Sequence, residues 1–257
     1  KLSALHEWVD GQEAKGHITP SNSAYNANIV LTRKKDGRWR FAIDLRGLNK
    51  VASFDPYALP IVPDLIELTA GSKWFTAVDL SDGFWNLLIH PEDRHKTTFS
   101  VPGKGRYMWR SVPFGLHASA PHFQRMIEAT MAGLSWEEVC VYVDDILIHT
   151  ETFERHVQVV ETVLARLAEG GFCIAPKKCA VFQRKLPYLG FILSEHGLQM
   201  DEAKCRKLQE ELGKVGSKTD IRRALGMAQF YSKFIFGFAQ LTAPMTNALH
   251  NDVKEDL

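Results

Sequence analysis

The stretch Val139-Cys-Val-Tyr-Val-Asp-Asp-Ile-Leu-Ile148 sets two strongly apolar runs on either side of adjacent carboxylates, Asp144 and Asp145. The pattern predicts a tight β-hairpin with acids at its turn. A hairpin this apolar is buried on at least one face, and carboxylates lodged beside a core are costly unless a cation compensates them. A third carboxylate, Asp79, ends another apolar strand, Trp74-Phe-Thr-Ala-Val-Asp-Leu80, just before a bend at Gly83. If both elements share one sheet, Asp79 and Asp144 converge. Like charges raise each other's pKa unless a divalent ion neutralises them, so the cluster reads as a hard-cation site. Oxygen ligands without His or Cys favour Mg²⁺, with Mn²⁺ as a substitute, over Zn²⁺. Two such ions about 4 Å apart serve in-line phosphoryl displacement, which nucleases, cyclases and polymerases have in common.

Outward from the hairpin the chain alternates strand and helix signals. Residues 28–32 and 39–43 are β-prone and flank Lys34-Lys-Asp-Gly37, a hairpin-turn signal. Strand-like runs follow at 86–90 and 107–112. From Ser119 to Leu134 apolar residues recur at three and four, as on one face of a helix. A second helical stripe runs from Val157 to Leu167 and stops at Gly170-Gly171. Residues 172–174 read as a strand, and 188–193 with 198–200 as a hairpin turning at 194–197. Beyond residue 201 two helices are expected, near 201–213 and 219–235, with Thr219 or Asp220 capping the second.

The 257 residues are 45% apolar and 24% charged, enough for a sizeable core. A net charge of +1 excludes a bulk polycation, so any affinity for nucleic acid has to be local. Residues 33–50 hold seven basic side chains against two acids, and 177–185 hold four against none. The 4 cysteines form no CxxC pair, which argues against a zinc site or a disulfide framework. No apolar run is long enough for a membrane span, no signal peptide is visible, and an intracellular setting is expected. The chain begins with Lys1, which suggests an excerpt from a longer product.

Tyr142-Val-Asp-Asp145 between apolar strands resembles the YxDD box of reverse transcriptases, and the neighbouring motifs occur in that family's order. Phe75-Thr-Ala-Val-Asp-Leu-Ser-Asp-Gly-Phe84 is similar to the strand bearing the first catalytic aspartate. Residues 39–50 (WRFAIDLRGLNK) resemble the fingers motif. Val112-Pro-Phe-Gly-Leu116 with Phe123-Gln124 resembles the helix start that contacts template and nucleotide. Tyr188-Leu-Gly-Phe-Ile192 looks like the primer-gripping hairpin, and 225–235 with 241–244 like the thumb of Ty3/gypsy-type long-terminal-repeat retrotransposon polymerases.

The resemblance implies an α+β right-hand polymerase. Fingers and a lead-in would span 1–73 and palm with returning fingers elements 74–118. Palm with both hairpins would span 119–200, a helical thumb 201–250 and a truncated linker 251–257. It implies an RNA-directed DNA polymerase in which Asp79, Asp144 and Asp145 hold two Mg²⁺ ions. Lys34 and Arg40 would clasp the triphosphate, and backbone amides from Ser81 through Asp82 and Gly83 to Phe84 would meet phosphate oxygens. The Phe84 ring would exclude a 2′-hydroxyl; otherwise it is one more core aromatic. Phe114 and Gly115 would sit near the nucleotide. Template and primer would meet Gln124, Tyr142, Val143, Lys177, Lys178, Tyr188, Leu189 and Gly190. The implied partners are an RNA or DNA template-primer duplex, deoxynucleoside triphosphates, and RNase H and integrase domains of the same polyprotein, with no membrane. The implied location is a cytoplasmic particle or the nucleus.

The chain departs from the family at Gly115-Leu-His-Ala-Ser-Ala-Pro121, where proline falls one place late, and at Gly83-Phe-Trp-Asn86, where glutamine is usual in place of asparagine. Neither change touches an expected metal ligand. Two other readings remain: a domesticated relative that binds nucleic acid without catalysis, and a metal-dependent nuclease or cyclase.

Overall fold

In the computed structural model, residues 1–33, 37, 39–53, 56–81, 83–213 and 216–250 are described. Lys34, Asp82, most of the Lys34–Gly37 turn signal and the expected linker at 251–257 lie outside them. The chain divides into two compact units, the first ending at Gln183 and the second beginning at Arg184.

The first unit contains α1 (Leu2–Ala14), β1 (Ile18–Pro20), β2 (Ile29–Arg33), β3 (Trp39–Ile43), α2 (Arg46–Asn49), α3 (Val62–Leu68) and β4 (Trp74–Asp79). It continues with β5 (Phe99–Val101), β6 (Gly105–Trp109), α4 (Ser119–Thr130), β7 (Val139–Tyr142), β8 (Asp145–Thr150), α5 (Phe153–Glu169) and β9 (Ala180–Gln183). Among the described residues the strands form an antiparallel sheet in the order β7-β8-β4-β9, a smaller one in the order β1-β6-β5, and the β2-β3 hairpin.

The four-stranded sheet follows from its sequence. Ile146, Leu147 and Ile148 of β8 are fully buried because the strand is central, so its run is continuously apolar rather than alternating. One face rests on α4 and α5: Val78, Ile146 and Ile148 join Phe123, Ile127, Val159, Val163 and Leu167 in one cluster. The Thr152 hydroxyl caps α5 by accepting from the Arg155 N–H at 3.3 Å. A second cluster gathers Leu5, Val9, Ile43, Phe99 and Trp109 from α1 and the strands around it.

The second unit contains β10 (Lys185–Tyr188), β11 (Phe191–Ser194), β12 (Gly197–Met200), α6 (Glu202–Leu212), α7 (Lys218–Phe230) and α8 (Phe238–His250). The three strands form a meander, and Phe191 lies against Phe230, Tyr231 and Phe234.

Several local expectations change. Residues 86–90 make a 3-10 turn (Gly83–Asn86) and a single bridge, Leu88 to Ser111, rather than a strand, because Gly83 and Asn86 close a turn through an Asn86 Nδ2 to Gly83 carbonyl bond of 3.2 Å. Residues 172–174 contribute only the Leu80–Ile174 bridge. The 188–193 run is broken between β10 and β11, with Leu189 and Gly190 at φ +46° and +90°. The cap of α7 is Ser217, whose hydroxyl accepts from the Asp220 N–H at 3.2 Å, one turn before the expected cap positions end. Among the described residues no helix is long and apolar enough to cross a membrane.

Candidate active site

Register brings the carboxylates together. β4 and β8 pair with Asp79 opposite Asp145, and β7 and β8 pair with Tyr142 opposite Asp145, leaving Val143 and Asp144 as the two-residue turn. The Leu80 N–H reaches the Asp144 carbonyl at 3.4 Å. Two-residue hairpins favour left-handed backbone, yet a β-branched residue occupies it here: Val143 has φ +52°. Such a conformation costs about 1–3 kcal/mol and persists only when its surroundings hold it.

Gln124 holds it. This side chain is 0% exposed, accepts from the Val143 N–H at 2.7 Å, and donates to the Val141 carbonyl at 2.8 Å and to Glu128 Oε1 at 2.7 Å. Tyr57 donates to the other Glu128 oxygen. The expectation that Gln124 meets the template is therefore corrected: its amide is buried and engaged with the hairpin backbone. The motif pairs Gln124 with Phe123 at the helix start, but sequence alone does not show which polar group a buried amide satisfies.

Asp144 is strongly perturbed. Burial first, then the charges of Asp145 and Asp79, push its carboxyl up to about 6, against the pull of Lys178. Asp145 is raised by burial and by Asp79. Asp144 Oδ1 is buried and has no hydrogen-bond partner among the described residues. Gly83 explains how that oxygen is accommodated. A Cβ on Gly83 would come within 2.5 Å of Asp144 Oδ1 and 2.9 Å of Phe123 Cζ, so only glycine leaves the room.

Asp79 faces Lys178, whose ammonium lies 2.9 and 3.2 Å from its two oxygens. That contact raises the lysine pKa. Lys178 was expected on a duplex backbone with Lys177; both lysines are exposed, but the Lys178 ammonium is engaged with Asp79. Among the described residues no three His, Cys, Asp or Glu side chains gather closely enough to hold a metal ion. The donor chemistry nevertheless fits a hard divalent cation. The acids are all oxygen donors, one oxygen is orphaned, and Lys178 already supplies positive charge at Asp79.

Around the acids, Phe84 is partly buried, with its ring 5.5 Å from Phe114 and 5.3 Å from Phe123. The Arg40 guanidinium on β3 sits 5.9 Å over the Phe114 ring. Ser81 departs from expectation: its N–H donates to the Cys173 carbonyl at 2.7 Å, so this amide is committed within the fold. Gly115 has φ +104°, and Asn49 clamps it by donating to its carbonyl at 2.7 Å and accepting from the His117 N–H at 3.1 Å. Asn49 was not singled out from sequence, because it acts on backbone groups 66 and 68 residues away. Tyr188, Leu189 and Gly190 belong to the second unit, where Tyr188 is buried and the Tyr231 hydroxyl donates to the Gly190 carbonyl at 3.4 Å.

Comparison with known proteins follows the same lines. A family profile described as reverse transcriptase (RNA-dependent DNA polymerase) matches residues 32–193. The retrovirus-related Pol polyprotein from transposon gypsy of Drosophila melanogaster is 33% identical over 243 residues, 92% of this chain and 23% of its own length. The Tf2-3 transposon polyprotein of Schizosaccharomyces pombe is 29% identical over 255 residues, 99% of this chain and 19% of its own length. The chain thus spans about a quarter or less of these relatives. Among solved structures, a foamy viral protease-reverse transcriptase in complex with double-stranded DNA aligns with TM-score 0.86 at 24% identity, over 95% of this chain and 43% of that one. The same kind of enzyme with an RNA/DNA hybrid gives 0.82 at 24% identity, over 96% and 33%. These two likenesses establish the α+β polymerase fold.

Proposed function

Since the chain belongs to the reverse transcriptase (RNA-dependent DNA polymerase) family, a nucleotidyltransferase family, we propose that it extends a primer 3′-hydroxyl with deoxynucleotides on an RNA or DNA template. The observation that carries this reading is the meeting of Asp79 with the Val143–Asp144 turn through the β4–β8 register. Three acids brought together by strand pairing, with the Asp144 and Asp145 carboxyls raised by burial and by neighbouring charge, suit a site that works on phosphates with bound cations. In this reading Asp79, Asp144 and Asp145 hold two Mg²⁺ ions, with Mn²⁺ able to replace them. Bound there, the ions would activate the primer hydroxyl and neutralise the departing pyrophosphate.

The chain's own residues then have separate tasks. Arg40, with Lys34 as the second expected basic group, binds the triphosphate, and Phe114 supports Arg40 from below. Phe84 closes the space beside the sugar. Gln124 and Gly83 keep Asp144 in place. Tyr188 to Gly190 grip the primer, and Lys177 meets a strand backbone without reading sequence. Residues 1–73 act as fingers with a lead-in, 74–118 as palm with returning fingers elements, 119–200 as palm with both hairpins, and 201–250 as helical thumb. RNase H and integrase functions come from other parts of a polyprotein, in a cytoplasmic particle or the nucleus.

A relative that binds nucleic acid without catalysis would have no need for the orphaned Asp144 oxygen beside a glycine. The test is primer extension by the purified chain on poly-RNA and DNA templates with deoxynucleotides and Mg²⁺. Lengthening of a labelled primer supports the proposal. Shortening would point to a nuclease, and binding without change to the silent relative.

A further inference from the structure

Toward the end of the β4–β8 ladder away from the acids lies a polar chain that no part of the proposed reaction uses. His156 of α5 is 0% exposed, as is Thr76 of β4, and Thr150 of β8 is 4% exposed. The ring nitrogens are both engaged: Nε2 lies 2.8 Å from Thr76 Oγ1, and Nδ1 lies 2.9 Å from Thr150 Oγ1. Each hydroxyl has one more partner. Thr76 Oγ1 accepts from the Phe182 N–H at 3.0 Å, and Thr150 Oγ1 donates to the Thr152 carbonyl at 3.0 Å.

The Thr152 end fixes the direction at Nδ1, and a neutral ring then fixes it at Nε2. An amide can only donate and a carbonyl can only accept. Thr150, having given its proton to the Thr152 carbonyl, accepts from His156 Nδ1–H. With the ring neutral and its one proton on Nδ1, Nε2 is an acceptor, so Thr76, which accepts from Phe182, gives its own proton to Nε2. The chain runs one way, from Phe182 N–H through Thr76, His156 and Thr150 to the Thr152 carbonyl, and it uses each donor once. It requires a proton on Nδ1, and it runs one way when the ring is neutral. Burial independently favours the neutral ring, lowering the His156 pKa to about 4. The charged group that acts on it is Glu138, which opposes that shift and is paired with Arg155; the neighbouring buried His149 has its own pKa lowered, mainly by burial and in part by His156.

The Phe182 end explains why the chain matters. Across β4 and β9, Phe75 pairs with Gln183 and Ala77 with Ala180, so two residues on β9 face Thr76 alone. This is a β-bulge, with Phe182 at φ +54°. The bulge leaves the Phe182 N–H outside the ladder, and Thr76 Oγ1 takes it. At its other end the same segment is tied to β4 by the Ala175 N–H donating to the Asp79 carbonyl at 2.9 Å. Lys178 lies between these two anchors and reaches Asp79.

We infer that His156 is a positioning residue: as a neutral, Nδ1-protonated imidazole it closes a one-way hydrogen-bond chain that fixes the β9 bulge against β4 and so seats Lys178 on Asp79. The effect on turnover rests on the polymerase reading above; the hydrogen-bond chain does not.

The test compares the full metal-free chain with Thr76→Val, which keeps the shape and removes the oxygen, Thr76→Ser, which keeps the hydroxyl, and the core control Val163→Ala on α5. Nitrogen-15 NMR reads the His156 ring tautomer and the Lys178 ammonium. Wild type, Thr76→Ser and Val163→Ala are expected to show the Nδ1–H tautomer and an Asp79-bound lysine signal, and Thr76→Val to lose both. In primer extension, Thr76→Val is expected to lower kcat about tenfold with little change in KM for deoxynucleotide, and Thr76→Ser to restore it. An Nε2–H or doubly protonated ring in the wild type overturns the chain. A Thr76→Val lysine signal no different from that of Val163→Ala overturns the positioning role. A wild type that extends no primer yet shows the expected NMR pattern refutes the polymerase reading and leaves the inference standing.

Discussion

Gln124→Leu separates a template contact from a structural clamp. Leucine keeps most of the volume but leaves the buried Val141 carbonyl and the Val143 N–H without partners. Unsatisfied groups of this kind cost about 1–3 kcal/mol each; Val143 is only partly buried, so the lower half of the summed range, about 2–4 kcal/mol, is expected. For a unit of this size that lowers Tm by about 5–15 °C. A second effect is local. Val143 stands at φ +52° with its N–H held by this amide; once released, the turn relaxes toward ordinary backbone and carries Asp144 with it. A shift of about 1 Å in a catalytic group costs about 10²-fold in rate. The assay is steady-state primer extension well below the melting midpoint, set beside Met131→Ala. That residue is equally buried just past the end of α4, and its truncation costs a similar 2–5 kcal/mol, roughly, without touching the turn. Gln124→Leu is expected to lose kcat far beyond Met131→Ala, with KM for template-primer nearly unchanged. Equal losses per folded molecule, or a loss confined to that KM, would refute the clamp; the latter would restore the template contact.

Asp144→Asn is expected to abolish extension and yet to stabilise the metal-free chain. The folded carboxyl titrates near 6 and the unfolded one near 3.8, so the folded state binds the proton more tightly. The penalty of the charged form is absent below pH ~4, grows between ~4 and ~6, and is complete above. Two units correspond to about 3 kcal/mol, which partial solvent screening reduces to about 1–2 kcal/mol. Thermal melts should show Asp144→Asn above wild type at pH ~7.5, with the gain shrinking as pH falls toward ~4; a variant no more stable at the higher pH counts against the burial argument. Gly83→Val should push Asp144 aside and lower kcat at least about tenfold, measured by single-nucleotide addition; unchanged kcat would show that the close approach is dispensable. Phe84→Ala should admit ribonucleotides, read as the ratio of kcat/KM for ribo- over deoxynucleotide, and an unmoved ratio removes Phe84 from sugar selection.

The strand carrying Asp79 and the hairpin carrying Asp144 and Asp145 were legible because both are apolar runs ending in acids, and a run of that kind has few folds open to it. Their convergence was legible only as a condition, since pairing of β4 with β8 joins segments about seventy residues apart and no local pattern encodes it. What sequence could not supply is where polar side chains spend their hydrogen bonds. Gln124 and Lys178 sat in the right motifs, but one turns inward to a backbone and the other onto a carboxylate. Ser81 lost its expected role because its amide meets Cys173, a partner reached through the 172–174 segment that sequence had read as a strand. Residues 86–90 misled for a related reason. Their apolar side chains pack against both clusters without joining a ladder, so apolar character alone did not make a strand.

The net charge of +1 gains meaning from the same geometry. Three carboxylates on one sheet repel one another, and the fold does not disperse them. It surrounds them with rigid parts instead: a buried amide on the turn, a glycine under one oxygen, and a lysine bound to the acid across the sheet. Each device keeps an unfavourable arrangement in place, and none neutralises it fully, since Asp144 Oδ1 stays without a partner. A fold selected for stability alone would have filled that position with a neutral side chain. The charge left uncompensated is therefore the part of the molecule that stability does not explain, and it is what a cationic ligand at this site would satisfy.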